Sequence, residues 1–181
     1  LEPWGLTPDN AVLERSAIYR FQARWAEHWV RDRCMIAGDA AHLMPPFAGE
    51  GMCAGLRDAV ALGWRLTGIL DGTLPRDVLH SYETERIAHA RHYIQFSQEL
   101  GDIICITDPA DAAARDRRMM ADLAARGHAP IPGDLVQLGP GLWCADSPGA
   151  GELSPPGAVT CAGAPARFAQ AVGQGWLVPA V

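Results

Sequence analysis

The chain has 181 residues, is 49% hydrophobic and 20% charged, and carries a formal net charge of −6. That size and composition suit one globular domain with an appendage. The acidic balance argues against a nucleic-acid or anionic-membrane surface, and no apolar run approaches the ~20 residues of a membrane-spanning helix.

The start, Leu1-Glu2-Pro3-Trp4, has no basic n-region, no apolar h-region and no initiator Met. It reads as a chain cut from something longer, without a signal peptide. The cysteines, Cys34, Cys53, Cys105, Cys144 and Cys161, are odd in number and form no CxxC pair. A disulfide framework or structural zinc site is therefore not expected, and a reducing cytoplasm is the plain setting.

Ser16 to Arg24, SAIYRFQAR, favours a strand through Ile18, Tyr19 and Phe21. Trp25 to Arg33 reads as a turn. Cys34-Met35-Ile36-Ala37 is short and apolar and ends at Gly38-Asp39, as a buried strand of a parallel sheet does, so a second strand is expected near 34–38. Met52, Leu56, Ala59, Leu62, Gly63, Leu66, Ile69 and Leu70 recur at helical spacing, and Gly72 is a stop signal, giving a helix over 51–70. Pro75 opens a second helix over 75–106. Its continuous face runs through Leu79, Tyr82, Arg86, His89, Tyr93, Phe96, Leu100 and Ile103. A third helix spans 109–126, with Asp108 as N-cap and Gly127 as stop. Residues 128–165 are rich in Pro, Gly and Ala and read as an irregular or extended connector. Arg167 to Val181 regains a hint of helix, then the extended run Trp176-Leu177-Val178.

The chemistry concentrates in GDAAHLMPPFAGEGMC, residues 38–53. A carboxylate at the carboxyl end of a strand points into the crevice where α/β sheets bind ligands, so Asp39 suits hydroxyls of a sugar chain. Pro45 and Pro46 stiffen the loop and remove two N–H donors. Gly49 and Gly51 permit close backbone approach to a flat ring. The following helix aims free N–H groups and partial positive charge forward.

The stretch GDAAHLMPPFAGEGMCAGLRDAVALGWRL resembles the second flavin motif of the single-component, FAD-dependent aromatic hydroxylases. SYETER at 81–86, ELGDIICITDPADAAARD at 99–116, RSAIYRFQARWAEHW upstream and GQGWLVP near the end are similar to the 3-(3-hydroxyphenyl)propionate hydroxylase branch. The resemblance covers almost the whole chain. It implies an α/β parent fold of three layers binding FAD and NAD(P)H, of which this chain is a mainly helical C-terminal part with a few strands. The implied divisions are the end of a substrate-domain sheet at 1–32, the last strand and three helices of the FAD-binding domain at 33–126, and a Pro/Gly-rich connector with a truncated C-terminal domain at 127–181. It also implies an FAD-binding set of Gly38, Asp39, Pro46, Gly49, Glu50, Gly51, Met52 and Cys53. Asp39 would meet the ribitol, the Pro46 backbone would lie near flavin C4a, and the amides of Met52 and Cys53 would meet the pyrimidine edge. Asp58 and Ala59 match the family's Asp-Ala pair. Many relatives carry Gln at the place of Glu50 and Asn at those of Cys53 and Ala61. The Glu50 side chain is expected to face solvent.

The implied reaction is monooxygenation of a phenolic aromatic acid ortho to its hydroxyl, with NADH or NADPH and O2. The partners are then a small aromatic substrate and dioxygen, with self-association into a homo-oligomer allowed for, and no metal, nucleic acid or membrane. Two alternatives stand beside it: a non-catalytic helical module that binds no FAD by itself, and another flavoenzyme of the same superfamily. At single residues the bland readings are also kept. Gly49 to Gly55 is a weak match to a pyrophosphate loop. His42 is read as shaping the loop rather than as a base. Glu85, His89 and His92 share a helix face but lack HExxH, so His89 is read as a buried, hydrogen-bonded histidine. Cys53 is read as a small buried residue rather than a reactive thiol.

Overall fold

The computed structural model describes residues 2–127, 138–144, 146–147, 150–152, 157–161 and 163–168. Three helices dominate them: α1 (Gly51–Leu70), α2 (Leu79–Ile104) and α3 (Pro109–Arg126). The strands are short: β1 (Arg24–Trp25), β2 (Val30–Arg31), β3 (Cys34–Met35), β4 (His42–Leu43), β5 (Ala158–Cys161) and β6 (Ala164–Arg167). They pair antiparallel as β1–β4, β2–β3 and β5–β6.

α1 begins and ends where its glycines predict. Gly49 takes a left-handed φ of 67° before the first turn, and Gly72, φ 78°, reverses the chain after the last. There the loop folds back, with the Leu74 amide donating to the Gly68 carbonyl at 2.8 Å. A Cβ on Gly68 would lie 2.4 Å from Leu74 Cδ1, so a side chain there would have to push Leu74 aside. The second helix starts later than expected. Pro75 is extended, with ψ 155°, Arg76–Val78 form a single 3-10 turn, and the α-helix proper begins at Leu79. α3 is capped as expected: Asp108 Oδ1 accepts from the amides of Ala110 (2.9 Å) and Asp111 (3.0 Å).

The buried faces differ from the apolar stripes read in the sequence. In α1 the buried residues are Ala54, Asp58, Arg65 and Gly68, while Met52 is 75% exposed and Leu56, Ala59, Gly63 and Leu70 are also exposed. In α2, Tyr82, Arg86 and His89 are buried as expected, but Ala90, Ile94, Ser97 and Gly101 complete the face, and Phe96 and Ile103 are exposed. The physical reason is pairing. α1 and α2 run antiparallel, so Asp58 meets Arg86 and Arg65 meets Ser81 and Glu85. Charges that are paired and hydrogen-bonded can occupy a helix interface that apolar residues would otherwise claim.

Both strand expectations need correction. Over 16–24, only Arg24 lies in a strand; residues 11–23 have no regular structure and Ile18 is 96% exposed. A strand needs a partner for its backbone donors and acceptors, and the described residues offer none there. The segment near 34–38 is not a buried parallel strand. Cys34–Met35 is the exposed-to-half-buried return arm of a hairpin with Val30–Arg31, turning through Asp32 at φ 51°.

The core joins these pieces. Trp29, Ala41, Tyr82 and Ala90 are buried together, flanked by Ala26, Val30, Ile36, Ala61, Leu62 and Ile87. Beyond α3, residues 138–144 dock on α2, where the Gly139 amide donates to the Glu85 carbonyl and the Leu142 amide to Glu85 Oε1 at 2.8 Å. The expected irregular connector therefore contains a docked loop and the β5–β6 hairpin. The rest of 128–165, and the helix and extended run expected near the end of the chain, lie largely outside the described residues.

A flavin-type turn held by a buried carboxylate

Gly38–Ala40 form a 3-10 turn against α1. Gly38 has φ +56°, and a Cβ on Gly55 would lie 3.4 Å from Gly38 Cα, so the turn and helix meet backbone to backbone. The Gly38 amide donates to Asp58 Oδ2 at 3.0 Å. Asp58, fully buried, also accepts from His42 Nε2 at 2.7 Å and from Arg86 Nε at 2.8 Å. Burial opposes the charge on Asp58. The bonds from His42, Arg86 and Gly38 outweigh it and hold the carboxyl below the usual carboxylate range. An ionised Asp58 is an acceptor only, so His42 donates through its Nε2–H.

The loop beyond is held as firmly. β4 pairs with β1 in the register Arg24 with Leu43 and Trp25 with His42. Pro45 is buried, and Pro46–Ala48 make a second 3-10 turn. The Phe47 ring lies where a Cβ on Gly101 of α2 would be, 2.6 Å from Cε2, and meets Phe21 edge-on at 6.0 Å.

Each sequence-expected site residue can now be placed. Asp39 is exposed on the turn that Asp58 anchors and lines a shallow pocket of about 220 Å3 with Arg24, Trp25 and His42. Pro46 and Gly49 are exposed on the second turn. Gly51, Met52 and Cys53 form the first turn of α1, which no side chain caps, so its leading amides remain open to a ligand. Cys53 is half-buried rather than buried. Glu50 does not simply face water, because its carboxylate pairs with Arg57 NH1 at 2.9 Å, two turns into α1.

SYETER proves to be an anchoring row. Ser81 Oγ accepts from Arg65 Nε at 3.0 Å, and Tyr82 donates to the Ile36 carbonyl at 2.9 Å. Glu83 accepts from the Trp29 and Val30 amides, Glu85 pairs with Arg65, and Arg86 with Asp58. Burial pushes the Tyr82 phenol up, which keeps it a donor. Asp58, His42 and Arg86 were each singled out, Asp58 in the Asp-Ala pair, His42 in the loop and Arg86 in SYETER, but were not expected as a unit. His89 differs from its expectation too. It is buried, yet Nδ1 has no hydrogen-bond partner. Burial, then the Arg86 charge, lowers it to about 4, so it is neutral. No metal-holding cluster occurs among the described residues, and none of the helices there is long and apolar enough to cross a membrane.

Residues 8–97, which include the Asp39 turn and the start of α1, match the family described as FAD binding domain, and the chain belongs to that FAD-binding family. Within it the chain is similar to aromatic hydroxylases. One relative is the probable NADH-specific resorcinol 4-hydroxylase of Rhodococcus jostii (strain RHA1), 39% identical over 97% of this chain and 32% of the relative. Another is the 3-(3-hydroxy-phenyl)propionate/3-hydroxycinnamic acid hydroxylase of Burkholderia cenocepacia (strain HI2424), 41% identical over 60% of this chain and 20% of the relative. The chain thus spans about a third or less of these relatives. Among solved structures, p-nitrophenol 4-monooxygenase PnpA from Pseudomonas putida DLL-E4 matches 67% of this chain and 31% of its own, with TM-score 0.52 and 27% identity. The complex of aklavinone-11 hydroxylase with FAD and aklavinone shares the fold, with TM-score 0.61 and 22% identity over 84% of this chain and 29% of that one.

Proposed function

We propose that this chain forms the flavin-ring side of an FAD-dependent monooxygenase. The reaction is hydroxylation of a phenolic aromatic acid ortho to its hydroxyl, with NADH or NADPH and O2. The observation that carries the reading is the Asp39 turn, tied by Gly38 to buried Asp58 and set beside the open N-terminus of α1. The residues fit FAD. Asp39 offers acceptors to sugar hydroxyls, and the amides of Gly51, Met52 and Cys53 offer donors to an electron-rich ring edge. Gly38, Pro46, Gly49 and Glu50 shape the intervening backbone. When bound, FAD supplies the redox and oxygen-transfer chemistry; the protein orients it and excludes water.

A second reading is that the 181-residue chain by itself binds FAD poorly. It is favoured by the exposed apolar residues of 12–21 and of α1, including Ile18 and Met52. Titration of FAD fluorescence against the chain, and against a longer polypeptide containing it, separates the two. Saturable FAD binding by the longer polypeptide, weakened by Asp39→Ala, supports the first. Formation of a catechol from a phenolic acid, coupled to NAD(P)H oxidation, tests the reaction. No flavin binding in either form overturns the proposal.

A further inference from the structure

A cleft of about 390 Å3 lies between α1 and α2 beside Leu138, Gly151 and Glu152, away from the Asp39 turn. Its volume falls in the range of small-molecule sites. Val60, Ala61 and Leu138 give it apolar walls, and His89 is among its lining residues; the residue is 6% exposed and its buried Nδ1 lacks a hydrogen-bond partner. An unpaired buried polar atom carries a desolvation cost that a ligand would relieve.

Most polar groups of the cleft already have partners. Glu85 accepts from Arg65 through Oε2 and from the Leu142 amide through Oε1. Glu152 also lines the cleft and has a partner of its own. Arg65 and Arg86 are committed to Glu85 and Asp58. Arg57 differs. It reaches Glu50 through NH1, lies 5.3 Å over the Tyr93 ring, and keeps further N–H donors on a partly exposed guanidinium. Burial, then the Arg86 and Arg57 charges, disfavour a proton on His89, and Asp58 counters them less.

We propose that this cleft binds a small organic carboxylate, its oxygens accepting from His89 Nδ1–H and from Arg57, its carbon skeleton against Val60, Ala61 and Leu138. The site does not depend on the flavin reading, and Arg57 connects it to Glu50 at the start of α1.

The test uses the 181-residue chain and benzoate as the probe, with benzyl alcohol as a neutral match of similar shape. The imidazole resonances of His89 are followed by NMR, assigned by their loss in His89→Gln and through the neighbouring Tyr93 ring, 5.0 Å away. Benzoate is expected to shift them saturably and to raise the His89 pKa, because an adjacent anion favours the imidazolium. Arg57→Gln, a change at a partly exposed site whose folding is checked by circular dichroism, is expected to weaken benzoate about tenfold or more. Absence of a saturable shift, an equal response to benzyl alcohol, or unchanged benzoate affinity in a folded Arg57→Gln overturns the assignment.

Discussion

The amide of Gly38 and the carboxylate of Asp58 are 3.0 Å apart across 20 residues of sequence, and that bond fastens the turn bearing Asp39 to α1. The same carboxylate holds His42 and Arg86. One buried group therefore sets the relation of the loop, β4, α1 and α2. Removing one member of such a buried set leaves the others without compensation.

Asp58→Asn is accordingly expected to destabilise the chain by about 3–5 kcal/mol, because Arg86 is then buried without its counter-charge. Urea unfolding checks this, and FAD retention by the longer polypeptide should fall in parallel. A loss below about 1 kcal/mol would mean that solvent reaches Arg86 and the network is not buried in solution.

Asp39→Ala should behave differently. Asp39 is exposed, so stability should change by no more than about 0.5 kcal/mol. FAD affinity in the longer polypeptide should drop roughly tenfold or more, through loss of a charge-assisted acceptor. Unchanged affinity on titration of the apo-mutant refutes the ribitol role.

Gly101→Ala places a Cβ 2.6 Å from the Phe47 ring. The ring must move, carrying the Pro46–Ala48 turn with it, at a cost of about 1–3 kcal/mol. Faster amide exchange at Phe47 and Gly49 is the expected sign. Wild-type exchange there would show that the ring rotates aside freely.

His89 ties stability to pH. Its folded pKa, about 4, lies below the ordinary 6.5. Between those values the unfolded chain binds a proton that the folded chain does not, so stability falls as pH drops from about 6.5 to 4. The full effect is on the order of 3 kcal/mol. Asp58 and Glu83, both held below the carboxylate range, lose their contributions only at lower pH. Denaturation midpoints at pH 7 and pH 5 should differ in the wild type and converge in His89→Leu; an equal pH dependence in the variant assigns the effect elsewhere.

The chain alone should show no NAD(P)H-dependent hydroxylation of phenols. Among the described residues no glycine loop of the type that anchors a pyrophosphate follows a strand, and β3 is followed by the Gly38 turn instead. NAD(P)H oxidation coupled to catechol formation, with added FAD, is the assay. Robust turnover would place the active site somewhere other than proposed.

Sequence by itself determined the helices and the family. α1 and α3 begin and end where Gly49, Gly72, Asp108 and Gly127 put them, because caps and stops act within a few residues of chain. The motif from Gly38 to Cys53 was legible for the same reason: its prolines and glycines constrain the backbone locally. Tertiary structure decided which helix faces are buried, where 34–38 finds its strand partner, and what Asp58, Glu83 and Arg86 hold. Met52 is apolar yet exposed and Asp58 is charged yet buried, because burial depends on partners brought from distant parts of the chain. A carboxylate reads in sequence as a surface group; three donors converging on it from β4, the Gly38 turn and α2 make its burial tolerable, and only the folded chain brings them together.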